Sequence, residues 1–236
     1  MHDVTRVAGQ LCAAAALIVA MMAHVEAQPG APKGAAPKGG PPGFGFQVPL
    51  GITPKAAVAN VNPVRSCESL ATVSLPNTTI ESAAIDPKNP DICRVTAITT
   101  HPPASDKVRI WIGIPAKDWN GRFLGTGGGG FVGGNQGGVN EPVKLGYASV
   151  ATDTGHEGGS GSFAMDANGR LNWQLVRDNA HVGIHEMTVT GKALTQAMYG
   201  TAPKYSYFNG CSTGGRQGLM EAQRYPGDFD GIVACA

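Results

Sequence analysis

Tyr205-Ser206-Tyr207-Phe208-Asn209-Gly210-Cys211-Ser212-Thr213-Gly214-Gly215-Arg216-Gln217 is the stretch on which the reading of this chain turns. A short aromatic and β-branched run leads into Gly-x-Ser-x-Gly, and a helix-forming segment, Thr213 to Arg224, follows. Strand, tight turn and helix in that order form a nucleophile elbow, in which a sharp turn lifts a serine oxygen above a sheet. Small residues on both sides of the serine keep the turn from clashing. Ser212 is therefore the candidate nucleophile, and the plain alternative is a serine that only shapes a turn. A serine hydroxyl needs a base within hydrogen-bond reach. On this fold the acid and the histidine follow the nucleophile in the chain, yet residues 213–236 contain no histidine.

Outward from the elbow, β-like runs alternate with helical ones. Cys93 to Thr99 reads as a strand. In Lys107 to Ile114, Val108, Ile110, Ile112 and Ile114 alternate with Arg109, Trp111 and Gly113. Arg122 to Leu124, Tyr147 to Thr152, Tyr205 to Phe208 and Phe229 to Ala234 are further strands. Asn172 to Tyr199 is the longest helix candidate, weakened by Gly183 and Gly191 at about 1 kcal/mol each relative to Ala. Alternation of this kind predicts an α/β fold with a mostly parallel sheet and flanking helices. With the elbow it predicts the α/β-hydrolase fold, ending after the strand that follows the elbow.

A glycine run, Gly125-Thr126-Gly127-Gly128-Gly129-Gly130, follows the Arg122 strand. It also fits the dinucleotide pattern G-x-G-x-x-G, with Asp153 at the end of the next strand. That pattern needs a helix opening at the glycines to meet a pyrophosphate, and residues 131–143 read as no helix. The run fits an oxyanion-hole loop better. One backbone N–H would come from Thr213, after the nucleophile, and another from Gly129 or Gly130. A plain flexible loop and a nucleotide loop remain as alternatives.

Other polar groups carry less information. His181 and His185 stand four apart beside Glu186, but their order matches no zinc-protease motif, so a solvated or capping role is expected. Asp153 and His156 read as a polar turn that supports the site from outside. No CxxC spacing is present, and no metal is expected in this chain. At net charge +1, with 15% charged residues, there is no basic field for nucleic acid or anionic membranes.

The N-terminus reads as a secretion signal over residues 1–27. Arg6 supplies its charge, Leu11 to Met22 its apolar run, and Val25-Glu26-Ala27 a cleavage site. The alternative, a membrane anchor, is disfavoured because the run falls short of the ~20 apolar residues a span needs. Export to a periplasm or beyond follows, with no membrane attachment after cleavage. Residues 28–59 are rich in Pro, Gly and Ala and read as a linker, so residues 60–236 hold the fold. Cys12 falls inside the signal. Cys67, Cys93, Cys211 and Cys235 then meet an oxidising compartment and are disulfide candidates.

With these motifs in place, the chain resembles the tannase and feruloyl esterase family, which includes hydrolases of mono(2-hydroxyethyl) terephthalate. The resemblance rests on Trp119-Asn120-Gly121-Arg122-Phe123 with Gly127 to Phe131, on Tyr147 to His156, and above all on Tyr205 to Gly231. It implies a serine carboxylic ester hydrolase for small aromatic esters, with Ser212 as nucleophile and Thr213, Gly129 and Gly130 as oxyanion donors. It implies a Cys67–Cys93 bridge. It also implies that Cys211 pairs with a cysteine beside the catalytic histidine. That cysteine, the histidine, the acid and a calcium-binding lid all lie further along in such enzymes, so this chain corresponds to their N-terminal part. Taken alone it is expected to be inactive, with no cofactor of its own. Cys211 is then expected to be unpaired, a bond to Cys235 being the alternative. The rival functional readings are a non-catalytic remnant that only binds and, more remotely, a dinucleotide-dependent oxidoreductase.

Overall fold

Val108, Ile110, Ile112 and Ile114 are all buried, and the strand they form is the clearest case of alternation becoming a core face. The computed structural model describes residues 54–58 and 61–236. The signal over 1–27 and nearly all of the linker over 28–59 lie outside the described residues. No helix among the described residues is long and apolar enough to cross a membrane.

Seven strands form one sheet: β1 (Thr78–Asp86), β2 (Asn89–Thr99), β3 (Val108–Pro115), β4 (Arg122–Thr126), β5 (Ala148–Thr152), β6 (Tyr205–Cys211) and β7 (Gly231–Cys235). Their order across the sheet is β1-β2-β3-β5-β4-β6-β7. The pairs β1–β2, β2–β3 and β3–β5 are antiparallel, whereas β5–β4, β4–β6 and β6–β7 are parallel. Only β1 and β3 therefore run against the rest, and the sheet is mostly parallel as expected. β1 is a strand that the pattern does not reveal. Its Ala- and Ser-rich run has little apolar alternation, and an Asp86 side chain closes the turn to β2 by accepting from Lys88 N at 2.8 Å.

The long helical segment is continuous but not uniform. Asn172 caps it by accepting from Leu175 N at 3.2 Å. α2 (Trp173–Arg177) passes through a π turn at Asp178–Val182 into α3 (Gly183–Tyr199). Ile184, Met187, Leu194 and Met198 of α3 are buried against the sheet, each stabilising by roughly 1.5–3 kcal/mol. Gly191, a weakness in isolation, is needed here. A Cβ at that position would lie 2.9 Å from the Phe123 ring of β4, so the glycine lets helix and sheet approach closely. Gly200, with φ +71°, ends the helix. Among the described residues the other α-helices are α1 (Asn140–Lys144) and α4 (Thr213–Arg224). α1 and the 3₁₀ turn before it, Gln136–Val139, correct the expectation of no helix over residues 131–143. They begin well past the glycines and do not open on them.

Cys67 and Cys93 are bonded, with Cα atoms 5.5 Å apart across 26 residues of sequence. The bridge ties the segment before β1 to the buried centre of β2. In the chain-entropy description a loop of that length stabilises by about 3–4 kcal/mol. Replacing both cysteines by Ala is expected to cost about that much, read as a lower urea midpoint with a somewhat steeper slope, since the uncrosslinked denatured chain exposes more surface. The expectation that Cys211 is unpaired is corrected: Cys211 bonds Cys235. The two occupy partnered positions in the parallel register of β6 and β7, with Cα atoms 4.3 Å apart.

Candidate active site

Sheet topology decides where this site must lie. The chain leaves β4, visits β5 on one side, and returns to β6 on the other. Between β4 and β6 the winding direction reverses, and the crevice at their C-terminal ends is where open α/β sheets bind ligands. β4 ends at Thr126 and runs into the glycine loop. β6 ends at Cys211 and runs into Ser212.

Ser212 has φ 56° and ψ −120°. A non-glycine residue rarely holds that backbone conformation, which is also not the ordinary left-handed helical one. Strain of this kind at a strand-to-helix turn is the mark of a nucleophile elbow. The turn is held from both sides. Ser212 N donates to Cys235 O at 2.9 Å, and Ser212 O accepts from Arg216 N at 3.0 Å. Ser212 is exposed, its side chain caps nothing, and its Oγ has no partner among the described residues. Gly210 and Gly214 flank it in contact. A Cβ on Gly210 would stand 2.5 Å from the Gly214 carbonyl carbon and oxygen.

The glycine loop docks across the first turn of α4. Gly214 N donates to Gly128 O at 2.8 Å, and Gly128 N donates to Gln217 Oε1 at 3.0 Å. The Gln217 amide also donates to Gly133 O at 2.9 Å. Thr213 Oγ1 donates to Gly130 O. Gly130 has φ +61°, which turns its carbonyl towards Thr213 at little steric cost. Among the described residues, the N–H groups of Thr213, Gly129 and Gly130 have no hydrogen-bond partner. The structure thus brings together all four residues singled out in the sequence: Ser212, Thr213, Gly129 and Gly130. Gln217 is the contributor that sequence reading missed. A fully buried glutamine one turn into the elbow helix was its only signal, and burial is not visible in a sequence.

The histidines are engaged elsewhere. His156 Nε2 lies 2.6 Å from Phe131 O, and its ring stacks on Phe163 at 3.8 Å. It supports the glycine loop from behind. Asp153 shapes the turn after β5 by accepting from Arg109 N at 2.9 Å and Gly155 N at 2.8 Å. Its burial raises the carboxyl above the ordinary value. His181 and His185 are half-buried, and each is held by a side-chain partner. His181 Nδ1 pairs with Tyr225 Oη at 2.8 Å, and His185 Nδ1 with Asp228 Oδ2 at 2.7 Å. These bonds anchor the π turn and α3 to the turn after α4.

Beneath that turn lies Glu221, fully buried, with neither carboxylate oxygen hydrogen-bonded among the described residues. Burial, reinforced by the nearby Asp228 carboxylate, pushes it up to about 9. Its folded value exceeds the unfolded 4.5, so the unfolded state loses its proton first as pH rises. Stability is expected to fall between about pH 4.5 and about 9. His185, held above its ordinary value by the hydrogen bond to Asp228, works in the same direction. Glu221→Gln should therefore be more stable than the parent at pH 8.5 and close to it at pH 4.5. Urea midpoints at the two pH values measure this.

A family profile described as tannase and feruloyl esterase matches residues 93–236. A probable feruloyl esterase of Arthroderma benhamiae is 43% identical over 169 residues, which cover 69% of this chain and 29% of that protein. Feruloyl esterase B of Aspergillus niger is 40% identical over 148 residues, covering 61% of this chain and 26% of that protein. The chain thus spans under a third of the length of the curated relatives it matches. Among solved structures, feruloyl esterase B from Aspergillus oryzae superposes with a TM-score of 0.62 at 31% identity, over 71% of this chain and 36% of that one. The tannin acyl hydrolase of Aspergillus niger gives 0.58 at 30% identity, over 71% and 36%. The elbow at β6, the docked glycine loop and the sheet order that joins them are those of an α/β-hydrolase, and this chain belongs to the tannase and feruloyl esterase family.

Proposed function

We propose that the protein is an exported serine carboxylic ester hydrolase acting on small aromatic esters of the feruloyl, galloyl or terephthalate type. The observation that carries the reading is the strained Ser212 with the glycine loop hydrogen-bonded across its helix. Ser212 Oγ attacks the ester carbonyl while a base takes its proton. The N–H groups of Thr213 and of Gly129 or Gly130 face the developing oxyanion, aided by the positive end of α4. The alcohol leaves with that proton, and water then releases the acid from the acyl-serine. No base is assigned among the described residues, because His156, His181 and His185 are bonded elsewhere. The 236-residue chain alone is accordingly expected to hydrolyse methyl ferulate or p-nitrophenyl acetate only at background rates.

Export is read from the signal over residues 1–27, and the disulfides suit an oxidising periplasmic or extracellular setting. Among the described residues no ligand set matches the calcium that the family resemblance places in the lid further along such enzymes. Calcium takes six to eight oxygen ligands, and the one tight ligand cluster among the described residues includes an imidazole. No step is derived through calcium. The test is acyl-enzyme trapping. The complete gene product, quenched during turnover of p-nitrophenyl ferulate, should carry one feruloyl mass on the peptide containing Ser212. Turnover without any acylated peptide would sink the mechanism.

A further inference from the structure

The loop after β2 and the π turn before α3 bring three potential ligands together, although no local spacing in the sequence announces them. His101 Nδ1 lies 2.6 Å from Asp106 Oδ2 and 3.7 Å from Asp178 Oδ1. One ligand atom from each of the three residues lies within 4.8 Å of the others. The Asp106 and Asp178 side chains are 1% and 0% exposed. Asp178 Oδ1 accepts from Gln174 Nε2 at 2.7 Å, but the buried Oδ2 has no partner among the described residues. Arg177, the neighbouring cation, bonds Gln174 and neither carboxylate. Two buried carboxylates thus face one imidazole, and a buried charge without compensation is costly.

We propose that His101, Asp106 and Asp178 form a binding site for a divalent transition ion of the zinc type. His101 Nδ1 and one oxygen from each aspartate are the protein ligands, and water completes the shell. The separations of 2.6 and 3.7 Å bracket the roughly 3.3 Å between donors around a tetrahedral ion with ~2.0–2.1 Å bonds. Binding displaces into solvent the proton that Nδ1 shares with Asp106. The other ring nitrogen, Nε2, is buried without a partner and lies 3.8 Å from Glu186 Oε1. A short movement makes that pair the carboxylate–histidine–metal arrangement that orients a ligating imidazole. An imidazole ligand favours zinc-like ions over calcium or magnesium, which take oxygen. A cavity of about 200 Å³, lined by Asn77, Thr99, Glu186 and Thr190 among others, borders His101 but neither aspartate. The bound ion would fasten the β2 loop to the π turn. This site is separate from Ser212 and does not depend on the esterase reading.

Cobalt(II) and zinc(II) titrations of the full chain test the proposal. Cobalt is expected to give visible d–d absorption at one equivalent, and zinc is expected to displace it. At hundredfold excess over its Kd, zinc should raise the melting temperature by roughly 5 °C or more, reversibly with chelator. Asp178→Asn keeps the shape and removes the buried charge. It should melt no lower than the metal-free parent yet bind at least about 100-fold more weakly. Asp106→Asn should behave alike and stands in should Asp178→Asn fail to fold. Absence of a cobalt signal in the parent overturns the site, as does undiminished binding in whichever of these variants folds.

Discussion

Ser212→Ala is expected to abolish ester hydrolysis by the complete gene product, lowering kcat by about 10⁶. The remaining rate, on the order of 10³–10⁴ over water, would come from the oxyanion donors and binding alone. Methyl ferulate and p-nitrophenyl acetate are suitable substrates, since on the proposed mechanism the effect is on the attacking atom and not on recognition. Stability supplies a second readout. Ser212 sits at φ 56°, ψ −120°, where a Cβ is strained and glycine is not. Ser212→Gly should therefore unfold at a higher urea concentration than Ser212→Ala, by up to about 2 kcal/mol. Elsewhere alanine is usually the more stable of the two. A variant that keeps its activity without Ser212 would remove the elbow from the mechanism. An ordinary alanine-over-glycine order would remove the strain argument while leaving the chemistry untouched.

The largest purely structural effect is expected at Gly210. An added methyl would stand 2.5 Å from the carbonyl carbon and oxygen of Gly214 and 2.7 Å from its Cα. All three atoms are backbone, so no side chain can swing away. β6 is hydrogen-bonded on both sides, to β4 and β7, and cannot retreat. Gly210→Ala is expected to destabilise by at least about 3 kcal/mol, through overpacking and loss of the turn geometry. It should abolish hydrolysis too, because Ser212 and Thr213 lose their alignment with the glycine loop. Urea unfolding with activity measured on the residual folded fraction separates the two effects. A variant of near-parental stability would mean that the helix start can shift at small cost.

The elbow was legible in the sequence because its geometry is local. Gly210, Ser212 and Gly214 lie within one turn, and steric exclusion between neighbours in the chain needs no tertiary information. The same holds for β3, where alternation records burial directly, and for the long helix, whose apolar positions recur on one face. β1 was not legible, because an edge strand gains its stability from hydrogen bonds to β2 and needs little apolar pattern. The π turn at Asp178 and the value of Gly191 were equally hidden. The need for Gly191 is set by how closely the helix approaches the sheet.

The amino-acid sequence by itself determined the strand-turn-helix at Ser212, the glycine loop and the fold class, since each rests on short-range spacing and backbone sterics. Only the tertiary structure decided what those elements touch. It tied the glycine loop to α4 through Gln217 and Thr213. It paired Cys211 with Cys235 through the parallel register of β6 and β7. It also brought His101 and Asp106 of the loop after β2 against Asp178 of the π turn. Such contacts join residues far apart in the chain, and their energy depends on burial and on which strands are neighbours. No local pattern encodes either.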